Sequence, residues 1–281
     1  MVSAITPQSL AEALSIRMND TVIPFAGGTD LMVRRRGWAG TLPTFEYPVL
    51  FLSGLEELKR ICLRGDILEI GASASLRSIL EHQATPKILK EAVARMASPA
   101  IRNLGTLGGN ICNASPAADT VPPLLALDAS VTLQSLSGIR EIPLAEFIIA
   151  PGQTSLKHDE LLVAVHLPIA DYNMTHYRKV GTRKADALSK VSFAGLARIR
   201  GGIVEDLRIA IGAVAPGVVR NTEAERRMTG INLNEIPSMV EDIKAIYDRD
   251  IWPIDDQRSS AVYRRKVSLR LVEDFLAAIL R

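Results

Sequence analysis

An α+β fold in two parts is predicted, and three observations predict it. Short strands and short helices follow one another through residues 1–170 without the regular βαβ alternation of a doubly wound sheet. Residues 190–214 then read as a long hairpin across Gly201-Gly202, with Val191, Phe193, Gly195, Ala197 and Ile199 alternating onto one face. Helical patterns over about 219–229, 234–248 and 259–280 close the chain.

Each element has a local reason. TPQSLAEALSIR at 6–17 predicts an opening helix capped by Thr6, with Pro7 at the tolerated first position and Leu10, Leu14 and Ile16 on its apolar side. A strand at 21–25 runs into Ala26-Gly27-Gly28-Thr29-Asp30 and then LMVRRR, so Thr29 or Asp30 caps a second helix. The run Arg34, Arg35, Arg36 marks a solvated helix end, with a docking patch for a partner as the alternative. PVLFL at 48–52 is a buried strand, and Ser53 starts a short helix at GLEEL. LKRICLR and ILEIGA flank Gly65-Asp66, a hairpin signal. Ser75 begins a helix at LRSIL. Residues 86–97 form an amphipathic helix with Ile88, Leu89, Ala92, Val93 and Met96 inward, and Ser98-Pro99 stops it. Pro122 and Pro123 lead into the short helix LLALD; residues 129–135 and 139–142 are a hairpin; ELLVAVHLP at 160–168 is a strand. A boundary near 169–173 separates parts 1–170 and 171–281. The last helix buries Leu269, Val272, Leu276 and Ile279, spaced by three and four.

Composition excludes several classes. At 281 residues, 47% hydrophobic and 23% charged, the chain is ordinary for a soluble globular protein. A net charge of +2 gives no broad nucleic-acid footprint. The first 20 residues lack the basic flank and apolar run of a signal peptide, and no run suffices to span a bilayer, so a cytoplasmic location is expected. Cys62 and Cys112 are the only cysteines, too few for an iron–sulfur cluster, and Cys112 reads as a small buried residue. His82, His158, His166 and His176 have no metal-ligand spacing and read as structural or exposed.

The chemistry points to two glycine stretches. In LGTLGGNICNASPAADTVPPLLALD at 104–128, Gly105, Gly108 and Gly109 crowd a short span. Paired glycines let a backbone fold into a concave row of N–H groups that suits a diphosphate. Thr106, Asn110, Asn113 and Ser115 add donors beside it. Asp119 repels phosphate but can accept from sugar hydroxyls of the same ligand, or cap the next helix. A tight turn with a polar loop explains this stretch equally well. The second stretch, TVIPFAGGTDL at 21–31, is a strand, a glycine turn and a helix start, hence another anion site. GxGxxG and GxxxxGK[ST] are both absent. Two separate glycine loops suit a long, two-ended dinucleotide.

Together, PFAGGTDL at 24–31 and TLGGNICNASPAADTVPPLLALDA at 106–129 resemble the FAD-binding subunit of molybdenum hydroxylases, the family of xanthine dehydrogenase and carbon monoxide dehydrogenase flavoprotein subunits. The resemblance covers nearly the whole chain and includes the ending IDDQRSSAVYRRKVSLRLVEDFL. It implies an FAD-binding part at 1–170 and a C-terminal flavoprotein part at 171–281. It implies FAD contacts at Pro24, Phe25, Ala26, Gly27, Gly28, Thr29, Asp30 and Leu31, and at Thr106, Leu107, Gly108, Gly109 and Asn110. Asp119 matches an FAD-contacting aspartate, Leu162 an apolar contact and Lys179 a basic one. Read without the family, Leu162 is an ordinary strand residue and Lys179 an exposed strand lysine. Met96 falls where relatives place a bulky residue near the cofactor, or in a helix core. RKADAL at 183–188 matches a loop near the flavin ring, with Leu188 packing there; relatives using NAD often carry two acidic residues in it, and here Asp186 stands beside Ala187.

The implied activity is electron transfer. Substrate is oxidised at a molybdenum cofactor on one partner, electrons cross an iron–sulfur subunit, and FAD on this chain reduces NAD or another acceptor. The implied assembly is a heterotrimeric unit, dimerised, with a xanthine dehydrogenase-like substrate first and carbon monoxide or nicotinate-like heteroaromatics as alternatives. A standalone FAD oxidoreductase needs an acid or base constellation in 171–281, and none is visible. An assembly protein without cofactor would not need the glycines at 27, 28, 108 and 109.

Overall fold

The computed structural model describes residues 3–184 and 186–281. Helix and sheet are mixed, as an α+β reading requires, and the chain forms two units. The first comprises Met1–Thr85, Ser98–Ala114 and Ala129–Pro168; the second comprises Pro86–Ala97, Ser115–Asp128 and Ile169–Arg281. Two segments from the first half of the sequence thus fold with the C-terminal residues.

In the first unit a small parallel sheet runs in the order Ala4–Ile5, Val49–Phe51, Ile23–Phe25. An antiparallel sheet follows the order Ile61–Arg64, Ile67–Gly71, Leu161–Pro168, Ser130–Ser135, Gly138–Pro143. Both expected hairpins are present within it. Ala13 and Leu14 of the opening helix join Val22, Leu50, Leu52, Leu55, Leu58, Leu161 and Val163 in one apolar core. That helix spans Leu10–Asn19, and its cap is Ser9 rather than Thr6. The Ser9 hydroxyl accepts from the Glu12 N–H at 3.1 Å, while the Glu12 carboxylate accepts from the Gln8 N–H at 2.7 Å. The Ser-x-x-Glu spacing that signals such an N-terminus is visible in the sequence. GLEEL makes only a 3₁₀ turn, Glu56–Leu58, with no side-chain cap.

An ion pair between the half-buried Arg140 and the buried Glu160 anchors this unit. Arg140 donates from Nε and Nη2 to the two Glu160 carboxylate oxygens at 2.6 and 2.8 Å, and the Lys157 N–H adds a third bond at 2.8 Å. The Arg140 hydrogen bonds hold the Glu160 carboxyl below its usual range, outweighing the upward push of burial. A depressed folded-state pKa contributes stability above the unfolded value and loses it as pH falls through the folded value. Glu160→Gln should therefore cost about 2 kcal/mol at neutral pH. Thermal melts of variant and parent should converge at acid pH, once the pH has fallen through the lowered folded value and the parent carboxyl is protonated too. A gap that persists at that pH would refute the ionic origin.

The second unit is built on an antiparallel sheet in the order Met174–Val180, Val191–Arg200, Ile203–Gly212, Val219–Arg220. Its central hairpin turns at Gly201 and Gly202 with φ of 56° and 76°. Helices Thr222–Met228, Ile236–Asp250 and Ala261–Ile279 follow. The first starts late because Val219 and Arg220 pair with Ile211 and Ala210 as an edge strand before Asn221 caps the helix. The period of two decides what each sheet face meets. Phe193 meets Phe275 of the last helix edge-on at 5.8 Å between ring centroids. Ser192 and Gly212 lie across from each other on the opposite face, where Pro122 of helix Val121–Ala126 approaches. In helix Lys87–Ala94, Ile88, Leu89, Ala92 and Val93 are buried as expected, and Met96 just after it is buried too.

Candidate functional site

The first glycine stretch forms as expected: strand Ile23–Phe25, a turn, then helix Leu31–Arg35. Gly28 has φ of 68°, and its carbonyl accepts the Met32 N–H at 2.9 Å, starting the helix. Asp30 stands at the N-cap without a side-chain capping bond; its carboxylate pairs instead with Arg34 at 2.9 Å. Among the described residues, the N–H groups of Gly27, Gly28, Thr29 and Asp30 find no acceptor. Four free donors in succession are what a diphosphate oxygen cluster requires.

The second stretch differs from the expected open loop. Ser98, expected to end one helix, also caps the next, Pro99–Leu104, and Thr106 caps a third, Leu107–Cys112. Most of the N–H row is therefore spent inside the unit. Leu107 donates to Ala74 O at 3.2 Å, Gly108 to Ala72 O at 2.9 Å, Gly109 to the Thr106 hydroxyl at 3.1 Å and Asn110 to Thr106 O at 3.0 Å. Ala72 in turn donates to Val163 O at 2.9 Å, so the short helix is pinned to the antiparallel sheet. A Cβ on Gly108 would lie 2.7 Å from the Ala72 oxygen, so this glycine serves close packing.

The two stretches meet. An added Cβ at Gly27 would fall 1.9 Å from Leu104 O, and one at Gly105 would come 3.4 Å from the Thr29 hydroxyl. Residues some 80 positions apart in sequence thus share one edge of the first unit, with the free N–H row on the Gly27 side. Leu162 belongs to this unit as well, buried opposite Leu133 where the strand register shifts. Cys112 ends the short helix, and burial pushes its thiol up to about 12, keeping it protonated. His166 bonds the Thr132 hydroxyl at 2.7 Å. Among the described residues no three His, Cys, Asp or Glu side chains group to hold a metal.

Asp119 and Lys179 belong to the second unit and form a pair. Lys179 Nζ lies 2.7 Å from Asp119 Oδ2, with both side chains only 8% exposed, and it also donates to Arg95 O at 3.1 Å. The lysine is no exposed strand residue. Asp119 does not cap helix Val121–Ala126; Thr120 is at that N-cap and makes no side-chain capping bond. Instead Oδ1 of Asp119 accepts from the Ser189 hydroxyl and, at 3.3 Å, from Tyr177 Oη. Burial above all, then the Asp119 charge, raises the Tyr177 hydroxyl well above its ordinary value, so it stays a donor. Sequence reasoning missed Tyr177 and Ser189. Tyr177 stands two residues before Lys179 and shares its strand face, a signal that was available. Ser189 carries none, because only the fold brings it to Asp119. Of the segment 183–188, Ala185 lies outside the described residues; Asp186 and Leu188 are exposed.

Within the first unit the open N–H row has the donor chemistry of an anion site, and within the second the buried Asp119 carboxylate has that of a hydroxyl acceptor. Residues 1–170 match the family model described as FAD binding domain in molybdopterin dehydrogenase, and residues 176–279 match CO dehydrogenase flavoprotein C-terminal domain. The chain belongs to this family of FAD-binding subunits of molybdenum hydroxylases and is an oxidoreductase component with FAD as its cofactor. Among individual relatives, it is 32% identical to the glyceraldehyde dehydrogenase medium chain of Sulfolobus acidocaldarius, over 94% of this chain and 93% of that one. It is 31% identical to the xanthine dehydrogenase FAD-binding subunit of Escherichia coli O157:H7, over 91% and 88%. Its fold is that of a chain in a carbon monoxide dehydrogenase from Hydrogenophaga pseudoflava, with a TM-score of 0.88, 24% identity, and coverage of 97% and 95%.

Proposed function

We propose that this chain receives electrons from an iron–sulfur subunit and delivers them through FAD to NAD or another acceptor. It would work in a heterotrimeric unit, itself dimerised, with a molybdenum-cofactor subunit. The observation that carries this reading is the free N–H row of Gly27–Asp30 packed against Leu104–Gly105. When bound, FAD supplies the capacity to take and release electrons singly or in pairs. The protein's part is to bind and orient it. Gly27 through Asp30 would hold diphosphate oxygens, with Pro24, Phe25, Ala26 and Leu31 shaping the turn. Thr106 through Asn110 would close the other side, and Asp119 would accept from ligand hydroxyls. Leu162 and Lys179 are assigned as apolar and basic contacts. The division at residue 170 into an FAD-binding domain and a C-terminal flavoprotein domain is supported by the spans 1–170 and 176–279 of the two family models.

Among the described residues no helix is long and apolar enough to cross a membrane, and the cytoplasm is the proposed place of work. For the whole assembly, xanthine or another purine is the proposed substrate, supported by the Escherichia coli relative. The Sulfolobus relative favours an aldehyde as the second reading. The test is purification of the tagged chain from its own host. Yellow protein with one released FAD per chain, accompanied by iron–sulfur and molybdenum subunits, is expected. Purine-dependent reduction of NAD or a dye then identifies the substrate class. Colourless protein that refuses added FAD, or flavoprotein that turns over alone, would overturn the assignment.

A further inference from the structure

Resting on that reading of Asp119 as a contact for ligand hydroxyls, we infer that Ser189 is a positioning residue for the cofactor, acting through the Asp119 carboxylate. Ser189 is fully buried, although Leu188 beside it is 66% exposed. Its hydroxyl donates to Asp119 Oδ1, while Oδ2 is held by Lys179. The only other donor to Oδ1 is Tyr177 among the described residues, at 3.3 Å, a longer and weaker bond. Without Ser189 the carboxylate keeps one strong partner and gains freedom to rotate about it. A bidentate anchor becomes a pivot. An acceptor that must meet ligand hydroxyls at hydrogen-bond distance loses affinity when its plane is no longer set. Four segments meet at this carboxylate: strand Met174–Val180 through Tyr177 and Lys179, the end of helix Lys87–Ala94 through Arg95 O on Lys179, the stretch before helix Val121–Ala126, and the residues leading into strand Val191–Arg200. The serine therefore transmits the position of one strand entry to a group more than 60 residues away in sequence.

The full chain, stripped of flavin, is titrated with FAD and followed by quenching of flavin fluorescence, in four forms: parent, S189A, D119N and the double variant. Apo-protein melting temperatures are recorded alongside. S189A should raise the FAD Kd about tenfold, the size of one hydrogen bond to a charged group. D119N should raise it further, and adding S189A to D119N should then change Kd less than about twofold, since the two act on one contact. The same factor for S189A in both backgrounds, or an unchanged Kd with only a lower apo melting temperature, would overturn the inference. A parent that binds no FAD would instead sink the reading beneath it, and an unaffected D119N would remove Asp119 as a contact. Both substitutions are close in size to the native side chains, and because D119N strands the Lys179 ammonium, all titrations are run well below the lowest apo melting temperature recorded.

Discussion

Gly27→Ala should leave the purified chain with less than about a tenth of its flavin and cost about 3 kcal/mol of stability, the upper part of the range for overpacking. The new methyl carbon would sit 1.9 Å from Leu104 O, 2.7 Å from Leu104 C and 3.0 Å from Gly105 Cα. All three are backbone atoms, and that backbone cannot retreat easily. The Gly105 N–H is bonded to Ile101 O at 2.7 Å, and Gly105 O accepts from Leu76 N at 2.8 Å. The two glycine stretches must part instead, which takes the free N–H row away from its neighbour. Two comparisons make the effect specific. At Gly109 the nearest atom to a new Cβ is the Thr106 hydroxyl at 2.9 Å, a side chain that can turn away for the loss of one capping bond, worth about 1 kcal/mol. At Gly54 nothing lies within 4 Å, so alanine there should keep full flavin. The ratio of absorbance at the flavin band to that of protein, with thermal melts, measures all three. A Gly27→Ala protein with full flavin and parental melting would separate the two stretches from each other.

What could be read ahead of the structure follows the range of the interactions involved. Gly27-Gly28 after a strand and before LMVRRR is a local pattern, and its turn and helix form as read. The hairpins at Gly65-Asp66, Ser137-Gly138 and Gly201-Gly202 are local too. The helix Leu107–Cys112 was not legible, because glycines argue against helix and only Ala72, which leaves no room for a Cβ at Gly108, explains that glycine. The roles of Asp119 and Lys179 came from family resemblance as two separate contacts. Their pairing depends on segment Ser115–Asp128 folding with the C-terminal sheet, a long-range choice that no local pattern encodes. The same holds for Arg220, whose guanidinium spans Asp128, Leu125 O and Glu225 and fastens that segment to the sheet edge.

That pairing separates stability from cofactor affinity. Lys179→Met should cost about 3–5 kcal/mol, because it leaves the Asp119 carboxylate buried without its cation. Asp119→Asn should cost a similar amount by stranding the ammonium, which keeps only Arg95 O among its named partners. The double variant should be more stable than the sum of the two losses predicts, by about 2 kcal/mol. An amide beside a thioether carries no uncompensated charge, and Ser189 and Tyr177 can still donate to the amide oxygen. Flavin retention should not recover with stability, since the carboxylate that accepts from ligand hydroxyls is gone. Urea unfolding of the four apo-proteins gives the coupling energy, and released FAD per chain gives the second readout. Additive stability losses would mean that the 2.7 Å pair does not interact energetically. Recovery of flavin in the double variant would mean that Asp119 serves only to neutralise Lys179, and that the ligand's hydroxyls are met elsewhere.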